Sequence, residues 1–126
     1  MATEGSAVAV VQAMYQRLGS GDPAGARSMW ADDAVWHLTG SNPLAKDYDP
    51  DAYLQMLGEW AGRYPSYEAE YQDVRDLGED VAIIVMQSTG GMAPGVATGL
   101  LVYRVVDGII REGWAIPTFA DGRYAF

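Results

Sequence analysis

Apolar positions recur along this chain first at helical and then at strand spacing. Val8, Val11, Met14, Tyr15 and Leu18 fall three and four residues apart, the stripe of an amphipathic helix. They predict a first helix over 6–18, stopped by Gly19-Ser20-Gly21-Asp22-Pro23. Asp22 is a good N-cap, with proline at the first helical position behind it. A short second helix is therefore expected over 23–30, carrying Ala26, Met29 and Trp30, and the acidic turn Ala31-Asp32-Asp33 ends it. Residues 34–39 read as a strand and 40–49 as a loop. Asp49-Pro50 repeats the cap signal and opens a third helix to about residue 61. Its stripe is Tyr53, Leu54, Leu57 and Trp60, and Gly62 is its stop.

Beyond that point the period changes to two. Residues 68–76 alternate, 81–89 form a mostly apolar strand, and 90–95 (Gly-Gly-Met-Ala-Pro-Gly) make a turn. A long strand over 96–106 meets Asp107-Gly108, a hairpin signal, and 109–116 is the last strand. The tail from Thr118 reads as irregular. Helices grouped ahead of serial antiparallel strands imply an α+β fold. A curved sheet wrapped around helices leaves a cone-like hollow that can bind a ligand.

Composition narrows the possibilities. The 126 residues make one domain, 1–126, with room for one core. The net charge of -9 and the lack of any Lys/Arg cluster speak against nucleic-acid binding. No apolar run approaches the roughly 18 residues of a membrane helix. The first residues lack a basic signal-peptide region. With no cysteine there is neither a disulfide nor thiolate chemistry, which fits a cytoplasmic protein. One histidine and no cysteine cannot build a zinc site of the usual type. Phosphate-loop, dinucleotide and serine-hydrolase motifs are missing too, so no metal and no cofactor is expected.

The order of these elements and four stretches of sequence together carry a family resemblance. They are Gly21-Asp22-Pro23-Ala24-Gly25-Ala26-Arg27-Ser28-Met29-Trp30-Ala31-Asp32-Asp33-Ala34-Val35-Trp36-His37, Gly40-Ser41-Asn42-Pro43-Leu44-Ala45, Val102-Tyr103-Arg104-Val105-Val106-Asp107-Gly108-Ile109-Ile110, and Gly113-Trp114-Ala115-Ile116-Pro117. Over nearly its whole length the chain resembles the SnoaL-like branch of the nuclear-transport-factor-2-like superfamily. That resemblance implies a cystatin-like cone, a curved antiparallel sheet wrapped around three N-terminal helices, commonly paired into homodimers. It also implies polyketide cyclase, ketosteroid isomerase, epoxide hydrolase or dehydratase activity, or none, because the fold alone does not fix function. Many relatives have Pro where Thr39 stands and Gly where Lys46 and Pro50 stand. Alignment on Ala31-Asp32-Asp33-Ala34 puts Leu38 where the ketosteroid isomerase carries its carboxylate base. The same alignment puts Ala13 and Leu101 at its oxyanion tyrosine and acid, so steroid isomerisation is not implied.

The candidate chemistry centres on His37, the only histidine, whose near-neutral pKa suits a proton shuttle. On its strand Val35 and His37 share one face, Trp36 and Leu38 the other. The alternation leaves open which face lines the hollow, and whether His37 is a ligand-facing group or a hydrogen-bonded wall residue. Glu112 alternates with Ile110, Trp114 and Ile116. It reads either as a base with a pKa raised by apolar surroundings or as a rim carboxylate paired with a strand neighbour such as Arg104. His37 and Glu112 together are the acid/base couple the sequence offers. Trp36, Tyr15, Tyr53, Trp60, Met86, Tyr103 and Trp114 are the expected substrate-binding residues, although aromatic stripes on helices are also ordinary core. Asp73 and Asp76 look like solvated turn residues. The resulting expectation is a cofactor-independent cyclase, isomerase or epoxide-opening enzyme acting on a small hydrophobic polyketide- or terpenoid-like molecule. The rivals are a ligand carrier without turnover and a dimeric structural module.

Overall fold

The structure is a computed structural model that describes residues 6–39, 45–78, 80–90 and 97–119. Helix α1 runs Ala7–Gly19, and the Ser6 side chain caps it by accepting from the Ala9 amide. A second acceptor reaches the same helix start from across the fold: Asp76 Oδ1 takes the Val8 amide at 2.9 Å. Asp76 is thus a docking group for α1 rather than a solvated turn residue, and an anion there also suits the positive end of the helix.

Helix α2, Pro23–Arg27, is capped by Asp22 and is shorter than its stripe suggests. Trp30 opens strand β1, Trp30–Leu38, instead of closing the helix. Two contacts outweigh local helix propensity here. The Ile110 amide donates to the Met29 carbonyl at 2.8 Å, drawing the chain into the sheet. The Trp30 ring, 3% exposed, packs 5.0 Å from Tyr53 and 6.1 Å from Tyr103. Arg27 fixes the corner, donating to Asp32, to Asp51 and to the Trp30 carbonyl.

Inside the expected loop a short strand β2, Lys46–Tyr48, pairs with β1. Helix α3, Pro50–Arg63, follows with Asp49 as its cap. Strands β3 (Glu68–Leu77), β4 (Val81–Thr89), β5 (Ala97–Val106) and β6 (Ile109–Phe119) form an antiparallel meander. Asp107 and Gly108, at φ 53° and 77°, supply the two left-handed positions of the expected hairpin turn. The turn expected over 90–95 and the tail beyond residue 119 lie largely or wholly outside the described residues.

The six strands form one curved, unclosed sheet in the order β2-β1-β6-β5-β4-β3. One pairing departs from the all-antiparallel expectation, since β1 runs parallel to β6. The helices pack on one face, α1 on the meander and α3 on β1 and β2. Ala34, Trp36, Leu38, Ala82, Ile84, Leu101, Tyr103, Val105 and Ala115 are buried beneath them. The opposite, outer face carries Val35, His37, Ile83, Val85, Val102, Trp114 and Ile116, all partly exposed.

Candidate functional site

Two polar constellations stand on opposite sides of this sheet. On the outer face the parallel register sets His37 beside Trp114 and Val35 beside Glu112. Nε2 of His37 lies 2.7 Å from Glu112 Oε2 and Nδ1 lies 2.6 Å from Asp47 Oδ1. Carboxylates only accept, so an imidazole bonded to one at each nitrogen donates twice and is a cation. Its pKa is accordingly raised, first by the hydrogen bond to Glu112, against the opposing effect of burial, with help from Asp47. The ring also stacks on Trp114, centroids 5.4 Å apart and planes 24° apart, which suits a cation over an indole. Arg104 completes the row at 3.8 Å from the other Glu112 oxygen. Among the described residues no cluster of three metal-ligating side chains has an arrangement that could hold an ion. Held as an imidazolium, His37 has protons to share but no free lone pair with which to act as a base.

A bulge places Glu112 on this face. Arg104 pairs with Glu112 whereas Val105 pairs with Ile110, so Arg111 is the extra residue and the alternation slips there. Ile110 therefore turns inward and is 0% exposed. It does not share the Glu112 face, as an unbroken alternation would require.

The second constellation lies under the helices. Tyr15 of α1 and Tyr103 of β5 join their hydroxyls in a short hydrogen bond, and their rings meet edge to face at 6.3 Å. Tyr53 of α3 packs with its ring tilted 4.5 Å from Trp36 and shares the cluster. Burial, then the neighbouring phenols, raises the pKa of Tyr15 and Tyr53 well above the ordinary value, and burial raises that of Tyr103. These three hydroxyls stay protonated across the physiological range. The Trp36 indole lies near enough to Tyr103 to favour its phenolate, although among the described residues its buried Nε1–H meets no partner in good hydrogen-bond geometry, and neither does that of Trp30. Trp36 can come this close because residue 113 is glycine: a Cβ there would stand 2.7 Å from Trp36 Cδ1 and 3.0 Å from the Tyr103 ring. Tyr15 is the part-exposed member of the cluster, with the 45% exposed Tyr71 6.4 Å away.

The structure thus joins His37 to Glu112, and separately joins Tyr15, Tyr53, Tyr103 and Trp36, with the sheet between the two groups. Met86 packs partly buried against the core. Trp114 belongs to the His37 face. Trp60 forms its own group with Tyr64 and Tyr67, at 4.5 and 5.7 Å. Sequence reasoning missed Asp47, which sat in a stretch read as loop, and the inward position of Trp30. A pairing of Tyr48 with Trp36, now at 5.8 Å, was the kind of aromatic signal that could have exposed β2.

Residues 11–113 match the family model of the SnoaL-like domain. Among solved structures, IdmH from Streptomyces antibioticus, described as a candidate polyketide cyclase, is 28% identical, with 86% of this chain and 88% of that one covered and a TM-score of 0.68. Bal32a, from a soil-derived mobile gene cassette, is 19% identical with 86% of each chain covered and a TM-score of 0.74. An NTF2-like protein of unknown function from Mesorhizobium loti is 20% identical, covering 94% of this chain and 97% of its own at a TM-score of 0.71. The last two are likenesses of fold. No curated protein matches the chain.

Proposed function

Because the chain belongs to the SnoaL-like domain family, we propose that it holds a small apolar molecule between its helices and the inner face of the sheet and carries out acid/base chemistry on it without a cofactor. Cyclisation, isomerisation or epoxide opening of a polyketide- or terpenoid-like compound fits this reading. One observation carries it: the Tyr15–Tyr103 hydroxyl pair, with Tyr53 beside it, is packed among aromatic rings and is open only at Tyr15. Phenols held protonated in a dry setting donate a hydrogen bond or a proton to an oxygen on which negative charge develops. Preorganised donors of that kind contribute about 10²–10³-fold in rate. In this reading the phenols face the molecule. His37 and Glu112, across the sheet, hold β1, β2 and β6 in register.

The test is a panel of polycyclic ketones and epoxides incubated with the protein, with product formation followed by mass spectrometry. Turnover that is lost in Tyr103→Phe and Tyr15→Phe supports the reading. Turnover unchanged in both variants sinks it. Binding without turnover of any compound points instead to a ligand carrier, a reading favoured by the engagement of both His37 nitrogens. Part-exposed Ile83, Val85, Val102 and Trp114 support a homodimer formed through the outer face. A monomer mass in sedimentation equilibrium at micromolar concentration would count against that. No helix among the described residues is long and apolar enough to cross a membrane, and the cytoplasm is the compartment we propose.

A further inference from the structure

Strands β5 and β6 each hold one glycine, and the two differ in what stands above them. Gly113 is explained by packing, because a Cβ there would meet Trp36 and Tyr103. Gly99 is not: among the described residues nothing lies within 4 Å of where its Cβ would stand. Glycine weakens a strand interior, and it marks a bulge, a tight bend or a place where another group approaches the backbone closely. The pairing on both sides of Gly99 runs without a shift from Ala97 to Arg104, so there is no bulge, and its φ is not left-handed. A bend alone gives no reason for the open space. Gly99 lies on the inner face, two and four residues from Leu101 and Tyr103 on one strand, and pairs with Met86. Tyr103 and Leu101 are buried, whereas Gly99 and Met86 are part-exposed. Tyr71, the other partner of Met86, is 45% exposed, and its ring stands 6.4 Å from that of Tyr15. The inner face is therefore shut at Tyr103 and open over Gly99, with Tyr15 and Tyr71 at the border.

We propose that Gly99 is the specificity-determining residue of the inner-face site, the floor on which a flat, fused-ring ligand lies against bare strand backbone. This rests on the inner face being the binding site, and it adds the shape of the ligand and the residue that selects it. A strand rises about 3.4 Å per residue, so Gly99 lies roughly 13 Å along β5 from Tyr103. A molecule that touches the Tyr15 hydroxyl and also covers Gly99 is several fused rings long. A planar face rests on the peptide groups at van der Waals distance, which any Cβ would prevent. A globular molecule touches the strand at one point and gains little from the missing side chain. Met86, unbranched and polarizable, suits a ring edge beside that floor.

The experiment compares 9-phenanthrol, which is flat, with 1-adamantanol, a cage, on the full-length protein by calorimetry, with a thermal-shift measurement of each variant. Gly99→Val should weaken 9-phenanthrol by about tenfold to a hundredfold, the size of an overpacking penalty, and 1-adamantanol by much less. Its melting temperature should not fall, because the new side chain enters open space and valine suits a strand. Leu100→Ala, on the outer face of the same strand, should leave both affinities unchanged. Tyr15→Phe reports on the inner-face reading separately, and a loss of 9-phenanthrol affinity there places the probe at the phenol pair. If that loss occurs while folded Gly99→Val binds as wild type does, the proposal about Gly99 is overturned and the inner-face reading stands. If neither variant alters binding, or wild type binds neither probe, both fall. Equal weakening of the two probes by Gly99→Val overturns the selection for flat ligands. Should Gly99→Val melt well below wild type, Gly99→Ala decides: a stable protein that binds 9-phenanthrol less tightly upholds the floor, and any other result overturns it.

Discussion

His37 and Glu112 sit on adjacent parallel strands and share a hydrogen bond of 2.7 Å, while Asp47 holds the other imidazole nitrogen. A histidine that gains carboxylate partners on folding binds its proton more tightly in the fold than in the unfolded chain. Its stabilising effect is complete below the unfolded value of about 6.5 and fades as pH rises through the raised value in the fold. His37→Asn should therefore lower the melting temperature more at about pH 5.5 than at about pH 9, a difference on the order of 1 kcal/mol for a part-exposed network. A thermal-shift series across that range checks it. A gap between wild type and variant that does not change with pH would mean that folding leaves the proton affinity of His37 unaltered.

The same pair separates two mechanisms. With the phenols as the donors, His37→Asn keeps turnover within a few-fold of wild type, whereas Tyr103→Phe loses about 10²–10³-fold in kcat, as removal of a preorganised donor does. Tyr103→Phe also removes a buried hydrogen bond, at a cost of about 1 kcal/mol, so a Tm drop of a few degrees accompanies it. The reverse ranking of the two variants in kcat would return the catalytic role to His37 and Glu112.

How much of this was legible in the sequence differs from element to element. The capping residues Asp22 and Asp49 announce their helices because a cap is a local interaction, whereas Ser6, read as the first helical residue, is the cap of α1. The hairpin at Asp107-Gly108 reads as easily, because left-handed backbone has few suitable residues. Trp30 was misplaced because its strand conformation depends on Ile110, Tyr53 and Tyr103, all distant in sequence. The bulge at Arg111 was invisible for a similar reason: alternation within one strand holds only while its partner keeps step. The pairing of His37 with Glu112 could be proposed from residue types. Its location on the outer face could not, since both strand faces carry apolar residues. The tyrosine cluster draws one residue each from α1, α3 and β5, and no spacing connects them.

Alkaline titration should show Tyr15, Tyr53 and Tyr103 as a late class. Burial keeps Tyr15, Tyr53 and Tyr103 protonated beyond the ordinary range. A raised phenol pKa contributes stability that is complete below about pH 10 and is lost as pH climbs through the raised value. Tyrosinate absorbance is expected to rise first from the accessible rings. A second, late step should coincide with loss of near-ultraviolet circular dichroism as the fold opens. A single smooth titration with a model-compound midpoint would contradict the enclosed cluster.

Asp76→Asn tests the joint between α1 and β3. The carboxylate accepts the Val8 amide at 2.9 Å beside the Ser6 cap, and the substitution keeps an acceptor but removes the charge that suits the helix start. A loss of about 0.3–1 kcal/mol is expected, and Asp76→Ala, which removes the acceptor as well, should cost about 1 kcal/mol or more. Urea denaturation of both variants measures the order. Equal stability of Asp76→Ala and wild type would return Asp76 to the status of a solvated residue.

Gly113→Ala is the smallest change that reaches both tryptophan and tyrosine in the inner cluster. The added methyl would lie 2.7 Å from Trp36 Cδ1 and 3.0 Å from Tyr103 Cδ1 and Cε1, so one of the two buried rings must move. Both are held on several sides, Tyr103 at 0% exposure and Trp36 at 5%, and neither offers a flexible end that could swing away. Overpacking of this kind costs about 1–3 kcal/mol. The variant should melt several degrees below wild type, and its tryptophan emission should shift as the Trp36 ring is displaced. If the phenol pair acts on a bound oxygen, the folded variant also loses kcat more than it gains KM, because Tyr103 moves relative to the reacting atom. A variant with wild-type melting and emission would show that the Trp36–Tyr103 packing is looser than the close approach at Gly113 requires.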